Sequence, residues 1–290
     1  MKKSDYMVAA VLILVVVIAV KYFRPQEPEQ PLLDLPSTTN EQPASVEVPE
    51  PAIRYPIPAH PPQIEQPTAE TATTEPGLPQ EEPTEEVAES APEKPLPTLD
   101  GSDAAVRESL YTLAARQAID SLFNLNRIIR RFVVTVDNLP RKHLTRSKYR
   151  SNQAISGQLR VEEDSNGIYL SNDNYARYDA FIDLFASINN DQMIALYLHY
   201  YPLIQAAYDN LGYSSAYFND RLIDVIDHLL QAPDLGGRIA LVRPRVLYKY
   251  VDPELEALSA GQKVLIRIGP RNAARVKSKL RELRQALAGE

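Results

Sequence analysis

The sequence predicts a mainly α fold: a compact multi-helix domain of about seven helices with a minor β-hairpin, preceded by one transmembrane helix and a disordered linker. Three observations carry that expectation. An uncharged apolar run lies near the start, a stretch dense in proline and acid follows it, and apolar residues then recur at helical spacing to the end. The boundaries expected are a short tail at 1–5, an anchor at 6–23, a linker at 24–101 and an α-helical domain at 102–290.

The anchor rests on Tyr6 to Val20, which holds no charge, flanked by Lys2 and Lys3 on one side and Lys21 and Arg24 on the other. Lys21 can lift its ammonium to the membrane surface, with Tyr22, Phe23 and Tyr6 as interfacial aromatics. As a helix, Tyr6–Phe23 would span about 27 Å, enough for a thin bilayer core. Val17-Ile18-Ala19 would serve as a signal-peptide cleavage site, but no polar segment separates it from the apolar run, so a retained anchor is the expectation. A five-residue tail is most simply left in the cytoplasm, with the rest translocated.

The formal charge of −7 is unevenly spread. Residues 25–100 hold 18 of the 24 prolines, and 16 acids against only Arg54 and Lys94, a local charge of −14. The first 24 residues carry +3, which leaves +4 on residues 101–290. The linker has too few large apolar groups to offset its ordering entropy, and proline with like charge extends it. A spacer is expected, although the Pro56–Pro62 stretch has the look of an interaction motif. The absence of cysteine excludes a disulfide framework, a thiol nucleophile, thiolate metal sites and a lipidated N-terminal cysteine.

Within the domain, Ser102 and Asp103 are candidate caps for a long helix reaching Asn138, with a break at Asn124 or Asn126. Arg141–Arg150 reads as a polar basic connector. Gln158–Val161 and Ile168–Leu170 flank Asp164-Ser165-Asn166-Gly167, a hairpin turn. A helix follows with Tyr178, Phe181, Ile182, Phe185 and Ile188 on one face. Asp191 opens another carrying Ile194, Tyr197, Tyr201, Ile204 and Tyr208, kinked by Pro202 and stopped at Gly212. Ser214 or Ser215 starts the next, with Phe218, Leu222, Val225, Ile226 and Leu229 inward. Arg238–Val242 is expected to pair with Val246–Tyr250. Asp252-Pro253-Glu254 is a helix start, Ser259 with Gln262 a capping box, and Gly269-Pro270 the corner into a last helix with Ala273, Val276, Leu280, Leu283 and Leu287 buried.

Several of these stretches resemble one bacterial family: Arg131–Pro140, Tyr200–Tyr213, Tyr217–Leu230 and Asp252–Lys263 with the Arg-Ile-Gly-Pro-Arg that follows from Arg267. They are similar to the Domain of Unknown Function 3014 family, in order, across Ser102–Leu287. The resemblance implies a Gram-negative envelope protein with an N-terminal anchor and a variable proline-rich spacer, and it implies no activity. One departure, Ile268 where methionine is expected, bears on packing alone.

The densest polar constellation is Asn219, Asp220, Asp224, Asp227 and His228. Residues 220, 224 and 228 share one helix face, where carboxylate and imidazole could take a divalent metal; acids paired with Arg221, Arg243 or Arg245 is the plainer expectation. Tyr197, Tyr201 and Tyr208 form a helical stripe, expected as a core seam, with a groove for a glycan or peptide as the alternative. Arg141, Lys142, Arg146, Lys148 and Arg150 in the connector, and Arg271, Arg275, Lys277, Lys279, Arg281 and Arg284 on the last helix, are expected as solvated faces, with an anionic envelope polymer, lipid headgroups, an acidic protein or the chain's own acidic linker as the alternative partner. No phosphate-cradling glycine loop, Gly-x-Ser-x-Gly elbow or His-Glu-x-x-His pair is present, so no cofactor and no reaction are implied. The expectation is a single-pass protein of the bacterial inner membrane whose periplasmic helical domain binds or scaffolds an envelope protein or cell-wall component, and not nucleic acid. The alternative is an envelope hydrolase acting on a wall-derived substrate through Asp224, Asp227 and His228.

Overall fold

The computed structural model of the chain describes residues 53–58, 96–143, 146–153 and 157–289. The expected tail, the anchor at 6–23 and most of the linker lie outside the described residues. Among the described residues no helix is long and apolar enough to cross a membrane.

Order begins before Ser102. Leu99–Gly101 form a single 3-10 turn closed by Gly101 N–H donating to Thr98. Leu99 packs on the core, and Arg130 Nε donates to Asp100 at 3.0 Å. The long helix expected to follow is divided into α1 (Asp103–Leu113), α2 (Arg116–Leu122) and α3 (Ile128–Asn138). Asn124 does mark a break: its Nδ2 donates to the carbonyls of Arg150 and Asn152, at 3.0 and 2.7 Å, bonds that a continuous helix would preclude. Asp103 caps a different helix from the one expected. Its carboxylate accepts from the amides of Arg127 and Ile128, at 2.6 and 2.8 Å, and so closes the start of α3. Arg127 there has φ of +50°, a conformation uncommon for a side-chain-bearing residue.

The remaining helices are α4 (Asp179–Ser187), α5 (Asn190–Asp209), α6 (Phe218–Leu230), α7 (Pro253–Ala257), α8 (Ala260–Arg267) and α9 (Pro270–Ala288). With the first helix split, the described residues hold more helices than the seven or so expected. Asn189, rather than Asp191, caps α5 by accepting from Asp191 and Gln192. Pro202 lies inside α5, which continues past it. Neither Ser214 nor Ser215 caps α6, whose flanking residue is Tyr217 with no side-chain cap bond. Asp252 caps α7, and Ser259 with Gln262 closes the capping box of α8, both as expected.

Both expected β-hairpins form, and they join into one antiparallel sheet of order β1-β2-β3-β4: Val161–Asp164, Gly167–Leu170, Ala240–Val242 and Lys249–Tyr250. Asp164 lies opposite Gly167, so β1 sits three residues later than the pattern predicts. Ile168 pairs with Leu241 across the join. One face of the sheet buries Leu170, Leu241 and Tyr250 with Ile239 against Ile266 of α8.

The main core is helical. Phe132, Val133, Val136, Ile182, Phe185, Met193, Phe218, Ile223, Ile226 and Leu280 are nearly or fully buried in it. α9 packs against α4, α5, α6 and α8, and this centrality corrects the expectation of a wholly solvated basic face. Lys277 and Lys279 are buried. Lys277 Nζ donates to Ala232 O and Asp234 Oδ1, both at 2.6 Å, and Lys279 Nζ donates to Ile188 O. These bonds satisfy ammonium groups that would otherwise be costly to bury. Arg150 likewise leaves the expected solvated connector: it is buried, and burial lowers its pKa.

Candidate functional site

Asn219, Asp220 and Asp224 are brought together on α6, and what they hold comes from the linker. Asp220 lies in the first turn of α6, where a carboxylate is favoured by the helix dipole. Its two oxygens accept from consecutive amides of a bend in the chain: Arg54 N–H at 3.1 Å and Tyr55 N–H at 2.8 Å. Such a pair of adjacent amides on one anion is a nest. One turn along, the Asp224 carboxylate receives the Arg54 guanidinium in a fork, Nη1 at 3.1 Å and Nη2 at 2.7 Å. Asp224 holds the guanidinium in its charged form and raises its pKa. Asn219 Nδ2 donates to Tyr55 O at 2.9 Å, and the Tyr55 ring packs against the main core.

The notch is fixed from behind. Tyr197, which is fully buried, donates its hydroxyl to Asn219 Oδ1 at 2.9 Å. Asn219 Nδ2 also reaches Leu287 O at the end of α9, 3.3 Å away. Burial drives the Tyr197 phenol far above its ordinary pKa, so it remains a donor. Tyr201 meets the Tyr197 ring edge-on and donates to Gln205 Oε1 at 3.1 Å. Tyr208 is buried, stacks on Tyr213 and meets Phe218 edge-on, and burial pushes its phenol up to about 12. The tyrosine stripe is thus a helix seam, and it touches the site through the Tyr197 hydroxyl.

Asp227 and His228 are turned elsewhere. Arg284 Nε of α9 donates to Asp227 Oδ1 at 2.7 Å. The His228 carbonyl accepts from Gln262 Nε2 of α8, while its own Nε2 is buried without a partner; burial, then the nearby Arg221 charge, lowers its pKa. The acids do pair with arginines, but with Arg54 and Arg284 rather than Arg243 or Arg245; Arg221 pairs with Asp137. Asp224, Asp227 and His228 therefore face three different neighbours. Among the described residues no group of three or more His, Cys, Asp or Glu side chains is placed to hold a metal ion. Among the described residues a small recess is lined by the apolar side chains Val106, Ile128, Phe132 and Leu196 with the ring of Tyr200, whose hydroxyl is bonded to Ser109 Oγ at 3.1 Å.

Arg54 and Tyr55 were not among the site residues expected from the sequence. A signal for them exists: between residues 25 and 100 they are the only arginine and the only Phe, Tyr or Trp, and they are adjacent.

Comparison with known proteins finds no curated protein and no solved structure that matches the chain. The family described as Protein of unknown function (DUF3014) matches residues 128–284, which includes the notch on α6 and excludes Arg54 and Tyr55. The chain belongs to that family.

Proposed function

We propose that this protein is a single-pass component of the bacterial inner membrane, held by residues 6–23, whose helical domain works in the periplasm as a binding module for polypeptide. The observation that carries the binding role is the α6 notch, where one carboxylate takes two consecutive backbone amides and a second takes a guanidinium. These are contacts to a peptide backbone plus one side chain, the usual division between affinity and selectivity in peptide recognition. The anchor reading is supported by the uncharged run from Tyr6 and its basic and aromatic flanks.

Two measurements test the reading. Alkaline carbonate should leave the full chain with the membrane pellet and release a chain lacking residues 1–24, and protease added to spheroplasts should remove the domain. Release of the intact chain by carbonate would defeat the anchor. For the binding role, Arg54→Glu in the full chain should vacate the notch by setting a carboxylate against Asp224, and titration with a synthetic peptide of residues 53–58 should then shift the amide resonances of Asn219, Asp220 and Asp224. Unmoved resonances at millimolar peptide would defeat the module.

A further inference from the structure

The notch is assembled by the domain alone. Tyr197 and Leu287 orient Asn219, the first turn of α6 presents Asp220, and Asp224 one turn on pairs with Arg54. The occupant, by contrast, is separated from Leu96 by 37 residues, numbers 59–95. Its grip on the notch is modest: the Arg54 and Asp224 side chains remain 54% and 45% exposed, and exposed ion pairs are weak in water. What offsets a weak grip is covalent attachment, which for a connection of this length gives an effective concentration on the order of millimolar.

We infer that the notch recognises a short Arg-aromatic segment presented by another polypeptide, and that Ile53–Pro58 is an intramolecular competitor which such a partner displaces. This rests on the reading of the domain as a binding module. The chemistry defines the partner. Asp224 takes a fork of two N–H groups, which guanidinium supplies and ammonium does not. Asp220 requires free amides at the arginine and at the residue after it, so neither position is proline. An aromatic ring in second place packs against the core as Tyr55 does. The third position, Pro56, has no amide to donate, and the notch makes no demand there. A partner that repeats this segment, or presents it beside further contacts, displaces the internal copy without needing a new pocket.

The test uses the full chain in detergent micelles with Tyr55→Trp, which gives a single tryptophan because the natural chain has none. Docked tryptophan should emit to the blue and resist acrylamide quenching several-fold better than in the same chain with Asp224→Arg. Charge exchange, Arg54→Asp in the Asp224→Arg chain, should restore much of the protection. Adding acetyl-Ile-Arg-Tyr-Pro-Ile-Pro-amide in trans should abolish the protection with a midpoint in the millimolar range, and the same peptide with glutamate for arginine should not. Hydrogen exchange at the Arg54 and Tyr55 amides of the unsubstituted chain, slowed when docked and restored by the peptide, reads the same events without the larger ring. Protection that no free peptide relieves would make the segment a fixed strap and overturn the competitor. A tryptophan equally quenched in all variants, with fast amide exchange at both residues, would overturn the notch itself.

Discussion

Gly269 is the residue at which the helical domain has least latitude, and substituting it tests the packing directly. It sits between α8 and α9 at φ +83° and ψ +162°, a region in which side-chain-bearing residues are strained by about 1–3 kcal/mol. A Cβ placed there would lie 2.5 Å from Tyr175 Cγ, 2.6 Å from Cδ2 and 2.8 Å from Cδ1, inside the ring rather than against a flexible chain end. Overpacking of that kind adds about 1–3 kcal/mol. Gly269→Ala should therefore destabilise the domain by about 2–6 kcal/mol, lowering its melting temperature by roughly 4–24 °C at its size. Gly212→Ala is the internal control: φ is +98° and nothing lies within 4 Å of the added carbon, so the backbone term alone remains. Urea unfolding followed by circular dichroism on both variants separates the two contributions. The cost of Gly269→Ala should also shrink in a Tyr175→Ala background, because the obstructing ring is gone. Equal losses for Gly269→Ala and Gly212→Ala would refute the close approach of Tyr175 to the α8–α9 corner.

Other expectations follow from the buried polar groups. Asp137→Ala should cost about 1–3 kcal/mol in urea unfolding, since the buried carboxylate pairs with Arg141 at 2.6 Å and Arg221 at 3.0 Å, while both guanidinium groups keep access to water once it is gone. Asp103→Ala should cost about 1–2 kcal/mol by removing the cap of α3, with amide exchange at Arg127 and Ile128 accelerated. Tyr197→Phe should cost about 1–3 kcal/mol, because Asn219 Oδ1 loses its buried donor. For His228, the lowered pKa means that the folded state favours the neutral imidazole, while the unfolded chain takes up its proton near the ordinary 6.5. Stability from this group is thus present above 6.5 and lost as pH falls below it. The melting temperature should drop less between pH 7 and pH 5 in His228→Gln than in the parent.

How much of this was legible in the sequence depended on the range of the interaction. Caps and corners that act within one turn were readable: Ser259 with Gln262, Asp252 with Glu254, and Gly269 before Pro270. The inward stripes of α4, α6 and α9 were readable from periodicity, since burial needs only that the apolar face meet something. What was hidden lay across long separations. Asp103 looks like a cap for the helix it begins, yet its carboxylate closes a helix starting at Ile128. Lys277 and Lys279 look solvated until Ala232, Asp234 and Ile188 arrive to accept from them. The join between the two hairpins rests on Ile168 opposite Leu241, which no local pattern announces. At the site, the cluster on α6 was legible as a constellation of acids. Its ligand was not, because Arg54 and Asp224 are 170 residues apart and a linker dense in proline offers no periodicity to follow.

The acidic rim of the small sheet bears on how this protein can crowd. β1 is an outer strand, and Glu162, Glu163 and Asp164 leave three successive exposed carboxylates along it. A neighbouring molecule that tried to continue the sheet by adding its own β1 would set a second row of carboxylates against this one, with Arg238 alone shared by Glu162 and Asp164, and like charges opposed across strands disfavour the pairing. Copies of the chain brought together at high density are thus disfavoured from zipping edge to edge into fibres.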